Sequence, residues 1–271
     1  MTLLQAKAIE VRTGAKSLIR DISLDVAPGK FVAVIGPNGA GKSTLLGALA
    51  GDRPLAAGEV LLDGRPIGRW SKAALAQRRA VLPQHSSVAF DFTGLQVAML
   101  GLLVHRGRLS EREMKMQAER SLAETEALGF ADRSYTVLSG GERQRVQLAR
   151  VLAQCDADLG DADLAAPPFL LLDEPIAGLD LAHQHAALAS ARRRADRGLG
   201  VLAVLHDVNM AACYADEVAI VEHGMLTAVG PVEDVLSSER LSRVFATPIV
   251  RLATPDGVAF LSPGPGLPKR T

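Results

Sequence analysis

Residues 36–43 read G-P-N-G-A-G-K-S, and this stretch constrains the fold more than any other in the chain. The apolar run 31–35 before it predicts a buried strand, and residues 44–50 after it predict the start of a helix. The three glycines allow a tight turn that points successive backbone N–H groups inward, towards an anion at the helix N-terminus. Strand, glycine-rich loop and helix together predict a phosphate-binding loop in an α/β fold.

This loop supplies the candidate nucleotide-binding residues. Lys42 can reach the β- and γ-phosphates of a nucleotide, and Ser43 can place its hydroxyl on Mg²⁺. The predicted ATP-binding set is Gly36, Pro37, Asn38, Gly39, Ala40, Gly41, Lys42, Ser43 and Thr44.

Helical and strand patterns alternate in the second half of the chain. Helices are predicted over residues 140–153 and 181–195, and strands over 169–172, 201–205 and 217–221. Such alternation predicts a mostly parallel sheet with helices on both faces.

Two other regions depart from this alternation. Residues 4–11 and 18–26 predict strands ahead of the loop, whereas residues 93–133 place apolar side chains at helical spacing among charged ones. The second region is therefore predicted to be a mostly helical insertion.

Composition limits the classes of partner. The 30 basic and 30 acidic residues of this 271-residue chain cancel, which argues against a dedicated nucleic-acid binder. No apolar run approaches the ~20 residues that span a bilayer, and no secretory signal pattern is visible. We expect a cytoplasmic protein with two reduced thiols, whose membrane association comes through a partner.

Two further motifs carry polar groups at the ends of predicted elements. Asp173 and Glu174 directly follow an apolar strand, where the first can hold Mg²⁺ and the second can polarise an attacking water. Ser139 is predicted to cap a helix whose first N–H groups are exposed by Gly140 and Gly141. This helix start is a second candidate anion site.

With these motifs in place, the sequence resembles an ATP-binding cassette (ABC) ATPase over about residues 2–245. The resemblance makes residues 36–43 the Walker A motif, residues 138–142 the signature, and residues 177–180 the D-loop. It implies catalytic roles for Glu174, His206, Gln84 and Lys42, and Mg²⁺ ligation by Ser43, Gln84 and Asp173.

The resemblance also implies a fold and an assembly. The fold is the α/β P-loop NTPase fold of ABC ATPases: a mostly parallel core sheet, an antiparallel β subdomain, and a helical subdomain of about residues 93–150. Residues 246–271 would form a short C-terminal extension, disordered from about residue 263. Two copies would sandwich two ATP molecules, with Ser139, Gly140, Gly141 and Asp180 completing the partner's site in trans.

Residues 79–87 and 178–185, and the extra loop before residue 169, resemble those of bacterial hemin-import ATPases. This implies a homodimer, two integral-membrane permease subunits and a periplasmic hemin-binding protein, with the ATPase on the cytoplasmic face of the inner membrane. The same machinery importing a ferric siderophore or cobalamin is the alternative. DNA-repair and translation-factor ATPases fit less well, because the chain has one cassette and no long coiled-coil insertion.

One position departs from the family pattern, and the acidic part of the extra loop matches no calcium-binding pattern. Thr13 stands where family members place an aromatic residue against the adenine, which leaves Arg12 or Arg20 as candidates to stack on the base. Asp156, Asp158, Asp161 and Asp163 are interpreted as a solvated surface loop.

Overall fold

The structure is a computed structural model that describes residues 3–84, 91–156, 169–254 and 257–262. The strands are β1 (Leu4–Thr13), β2 (Lys16–Val26), β3 (Phe31–Ile35), β4 (Ala57–Leu62), β5 (Arg65–Pro66), β6 (Arg79–Leu82), β7 (Phe169–Asp173), β8 (Gly200–Val204), β9 (Glu217–Glu222), β10 (Met225–Pro231), β11 (Val250–Thr254) and β12 (Gly257–Leu261). The helices are α1 (Lys42–Leu49), α2 (Lys72–Arg78), α3 (Gly94–Leu100), α4 (Glu111–Glu124), α5 (Gly140–Cys155), α6 (Leu181–Asp196), α7 (Val208–Tyr214), α8 (Val232–Val235) and α9 (Ser238–Val244).

A six-stranded sheet forms the centre, in the order β10-β9-β3-β8-β7-β6. Its strands pair in parallel except for β10, which runs antiparallel to β9. The sequence prediction of a mostly parallel sheet is therefore confirmed. Because β3 lies between β8 and β9, the loop after β3 emerges in the middle of the sheet, where α/β proteins bind ligands.

The two faces of this sheet are buried against different layers. Side chains of β3 alternate: Phe31, Ala33 and Ile35 join a core with helices α5, α6 and α7, while Val32 and Val34 join a core with α1. The second core also includes the four-stranded antiparallel sheet β2-β1-β4-β5. Burial on both faces explains why β3 reads as an unbroken apolar run.

Residues 93–155 contain the helices α3, α4 and α5, which pack around a third apolar cluster. Thr93 and Ser110 begin α3 and α4 with capping boxes, closed by Gln96 and Glu113. The predicted helical content of this region is confirmed. The limits of a separate helical subdomain stay a prediction.

The acidic stretch before β7 was interpreted wrongly at its first residue. Asp156 caps α5 and is ion-paired with Arg194 of α6, a side chain that is only 2% exposed. Its carboxylate, 25% exposed, therefore belongs to a partly buried ion-pair network, because a charge as buried as that of Arg194 is stable only when it is paired. Asp158, Asp161 and Asp163 lie outside the described residues.

A C-terminal hairpin was not foreseen from the sequence. Strands β11 and β12 pair antiparallel, and Asn209 of α7 bonds both backbone groups of Phe260, accepting from its N–H at 2.7 Å and donating to its C=O at 3.1 Å. Residues 263–271, predicted to be a disordered tail, lie outside the described residues. Among the described helices, none has the length and apolar character needed to cross a membrane.

Candidate nucleotide site

Two of the three glycines in the loop 36–43 could not be replaced by another residue without a clash. Gly36 and Gly41 have φ of +145° and +109°, in the region that favours glycine. A Cβ on Gly36 would lie 2.0 Å from the carbonyl oxygen of Val221, and one on Gly41 would lie 2.6 Å from Cγ2 of Ile19. The loop is therefore held between β9 and β2, with its backbone close to both.

Lys42 is the first residue of α1, and its side chain folds back over the loop. Its Nζ donates to the carbonyl oxygens of Gly36 and Pro37 at 2.7 and 2.9 Å, and the residue is 5% exposed. Burial lowers the pKa of Lys42, while Glu174 and Asp173 act in the opposite direction. The positive charge of Lys42 therefore lies next to the backbone of the loop.

Asp173 ends β7 beside the loop. The Ser43 hydroxyl donates to its Oδ1 at 2.9 Å, across 130 residues of sequence. Burial raises the pKa of Asp173, partly offset by the hydrogen bond from Ser43. The Ser43 hydroxyl and the Asp173 carboxylate, which the sequence analysis proposes as ligands of Mg²⁺, therefore lie next to each other.

Glu174 follows directly and adopts a left-handed backbone conformation with φ +51°. Its Oε1 lies 2.6 Å from Nε2 of His206, which follows β8. The Glu174 side chain is 17% exposed and that of His206 is 45% exposed, so the pair sits at the edge of solvent. The carboxyl ends of the adjacent parallel strands β7 and β8 bring these two side chains together.

A cavity of about 500 Å³ lies over the loop, which is a usual size for a small-molecule site. Its walls are Leu18, Asn38, Gly39, Ala40, Gly41, Lys42, Ser43, Thr44, Gln84, Glu174 and His206. All but the first belong to the predicted site. The sequence analysis did not include Leu18 in the site. A signal was present, because Leu18 and Ile19 are adjacent apolar residues in a strand, and successive side chains of a strand point to opposite faces.

Neither arginine proposed for base stacking is in this wall. Arg12 is paired with Glu10 at 2.7 Å, and the guanidinium of Arg20 lies 3.5 Å from Sδ of Met225. Thr13 is exposed at the end of β1. On this side of the cavity, the wall includes the apolar side chain of Leu18, on β2.

The signature residues and Asp180 are not part of the cavity wall. Ser139 caps α5 by accepting from the Glu142 N–H, and both Ser139 and Gly140 are exposed. Asp180 caps α6 and also accepts from Nδ1 of His183 at 2.7 Å; these bonds lower the pKa of Asp180. Within one chain, the structure therefore leaves both helix starts directed to solvent, outside the cavity.

The chain is similar in sequence to known components of ABC transporters. The sequence profile of the family described as ABC transporter matches residues 19–177. The hemin import ATP-binding protein HmuV of Myxococcus xanthus (strain DK1622) is 46% identical over 262 residues, covering 97% of this chain and 95% of that protein. The HmuV protein of Rhodococcus jostii (strain RHA1) is 44% identical, covering 91% and 80%.

Solved structures agree on the fold. The structure of an ATP-binding subunit of an ABC transporter superposes with a TM-score of 0.75 at 25% identity, covering 90% of this chain and 94% of that one. The family profile spans more than half of the chain, and the relatives match it over nearly its full length. The chain therefore belongs to the ABC transporter family, as a subunit that binds and hydrolyses ATP.

Proposed function

We propose that this chain powers the import of hemin across a bacterial inner membrane. The observation that carries the substrate is the 46% identity, over 97% of the chain, to a protein named for hemin import. The local geometry supports the ATPase part of the proposal, because the loop, Glu174 and His206 line one cavity and Asp173 accepts a hydrogen bond from Ser43 of that loop.

ATP binding is assigned to the loop and the start of α1. Backbone N–H groups of residues 36–44, except Pro37, which has none, would surround the phosphates, and Lys42 would move its hydrogen bonds from the carbonyls of Gly36 and Pro37 to phosphate oxygens. The buried lysine is well suited to this, since its charge is already poorly solvated.

The donor set beside the loop fits Mg²⁺. Ser43 and Asp173 offer oxygen atoms, Gln84 adds an amide oxygen in the cavity wall, and Mg²⁺ prefers oxygen ligands together with substrate phosphates. When bound, the ion would neutralise charge on the phosphates. No group of three or more His, Cys, Asp or Glu side chains in the described part of the chain suggests another kind of metal site.

Hydrolysis is assigned to Glu174 as the base that polarises the attacking water. His206 would hold the carboxylate from one side through its 2.6 Å contact and reach the γ-phosphate from the other. Gln84, in the same wall of the cavity, would contact Mg²⁺ and the attacking water.

The assembly is a further part of the proposal. Ser139, Gly140, Gly141 and Asp180 lie away from their own chain's cavity, so they are free to complete the site of a second copy in a homodimer. Two permease subunits and a periplasmic hemin-binding protein would complete the importer, with this chain on the cytoplasmic face of the membrane.

The test replaces the gene with Glu174→Gln in the bacterium that carries it. We expect ATP binding to persist and hydrolysis by the purified chain to fall ~10²–10⁴-fold, the usual contribution of a positioned base. Growth with hemin as the only iron source should fail, while growth on ferric siderophores and cobalamin uptake should persist. The exposed Glu233→Gln on α8 is the matched control.

Two results would count against the proposal in different ways. Near-normal hydrolysis by Glu174→Gln would reject the assignment of the base. Loss of siderophore or cobalamin uptake, with hemin-dependent growth intact, would reject hemin as the substrate.

A further inference from the structure

The first turns of α5 pack directly on the segment that follows β7. The amide Nε2 of Gln144 donates to two consecutive carbonyl oxygens, of Glu174 at 3.2 Å and of Pro175 at 3.0 Å. One turn earlier, a Cβ on Gly141 would lie 3.1 Å from the carbonyl oxygen of Gly178. The helix and the segment 174–178 are therefore in contact at both ends of that segment.

The backbone of Glu174 needs such support. Its φ of +51° is uncommon for a residue with a Cβ and persists only where the surroundings fix it. Within the segment, the Glu174 carbonyl also accepts from the Ala177 N–H at 3.2 Å. The Gln144 amide is the side-chain donor that adds to this turn, and it has two N–H groups for two carbonyls.

We propose that Gln144 is a positioning residue for the reaction: its two hydrogen bonds fix the turn at Glu174 and Pro175, and with it the place of the Glu174 carboxylate. This inference rests on the proposed role of Glu174 as base. Because Gln144 lies on the helix that Ser139 begins, it also ties the base of one ATP site to the helix proposed to serve the other site.

The test removes the two donors while keeping the length of the side chain. In Gln144→Met, we expect kcat for ATP hydrolysis by the full chain to fall about 10–100-fold, because a misplacement of about 1 Å can cost as much as 10²-fold. KM for ATP should stay within about three-fold, since the loop 36–44 that would bind ATP is unchanged.

The same helix offers a matched control. Gln154 also donates through Nε2 to two backbone carbonyls, those of Ala76 at 2.7 Å and Arg79 at 3.1 Å, far along the helix from Glu174. Gln154→Met should lower the melting temperature about as much as Gln144→Met, yet keep kcat within two-fold. An equal loss of kcat in both variants would assign the effect to general destabilisation and overturn the inference.

A double variant tests whether Gln144 acts through Glu174. In the Glu174→Gln background, adding Gln144→Met should slow hydrolysis by less than two-fold, because the group being positioned is already gone. A multiplicative loss would overturn the inference, as would a normal kcat for Gln144→Met beside a slow Glu174→Gln. Near-normal hydrolysis by Glu174→Gln alone would instead overturn the proposed base, and this inference with it.

Discussion

The cavity wall contains few side chains suited to contact an adenine base. The resemblance to ABC ATPases implies an aromatic residue where this chain has the exposed Thr13, and the wall of the cavity includes Leu18. A leucine buries apolar surface against a base but lacks the π-face that gives base–aromatic stacking its ~1–3 kcal/mol. Contacts to phosphate and Mg²⁺ would then carry more of the binding.

Thr13→Tyr should tighten ATP binding about five-fold or more, since ~1 kcal/mol of stacking corresponds to that change in Kd. The measurement is a nucleotide titration of the purified chain. Thr13→Leu is the control, because it adds apolar surface at the same position without a π-face. Equal affinities for wild type and Thr13→Tyr would contradict the prediction.

At the scale of elements, a partly buried ion-pair network joins three helices. Arg194 of α6 pairs with Glu124 at the end of α4, at 2.8 Å, and with Asp156 at the end of α5. Ser190 also donates to Glu124. Burial alone would raise the pKa of Glu124, but hydrogen bonds from Arg194 and Ser190 outweigh it and lower the pKa to about 2.

Glu124→Gln should lower the free energy of unfolding at pH 7.5 by about 3 kcal/mol, because removing one partner leaves the charge of Arg194 buried and only partly neutralised by Asp156. Urea unfolding measures the change. Glu119→Gln on the same helix is the control, since its ion pair with Lys115 is exposed and should contribute less than about 1 kcal/mol.

The pH dependence of this difference follows from the sign of the shift. The pKa of Glu124 in the folded chain is below the ordinary value of 4.5, so its contribution is complete above pH 4.5 and is lost as the pH falls towards about 2. The stability gap between wild type and Glu124→Gln should therefore narrow between pH 4.5 and pH 3.5. A gap that stays constant down to pH 3.5 would contradict the assignment.

Some residues of the site could be predicted from the sequence, whereas Asp156 of this network and Gln144 could not. The loop 36–43, Asp173 and Glu174 could be proposed from the sequence because each follows an apolar strand pattern, whereas His206 was assigned only through the resemblance to ABC ATPases. Asp156 was misread because its partner lies 38 residues away on another helix. Gln144 gave no signal either, since its acceptors are backbone carbonyls 30 and 31 residues further on.

At the scale of the whole molecule, the sheet separates two layers and places the site between them. The loop after β3 contacts β2 of the antiparallel sheet on one side, and Glu174 is reached from α5 on the other. A shift of α5 relative to the sheet would therefore move the base without moving the phosphate-binding loop. In the proposed homodimer, such a shift would link hydrolysis to the approach of the second subunit.

This argument requires that the N-terminus of α5 contact ATP bound to a second copy. Ser139→Arg should therefore abolish the ATP-dependent dimer while leaving ATP binding to the chain's own loop intact, because an arginine would fill the space meant for the partner's nucleotide. We expect a monomer on size exclusion with ATP, in the Glu174→Gln background that slows hydrolysis.

The substitution also removes a helix cap, which by itself costs about 0.5–2 kcal/mol, so its control must remove a comparable cap elsewhere. Ser110 begins α4 with the same capping box, closed by Glu113 as that of Ser139 is closed by Glu142. Ser110→Arg should lose similar stability and still dimerise with ATP. An ATP-dependent dimer of Ser139→Arg would mean that the helix start does not serve a second site, and Gln144 would then connect the base only to its own chain.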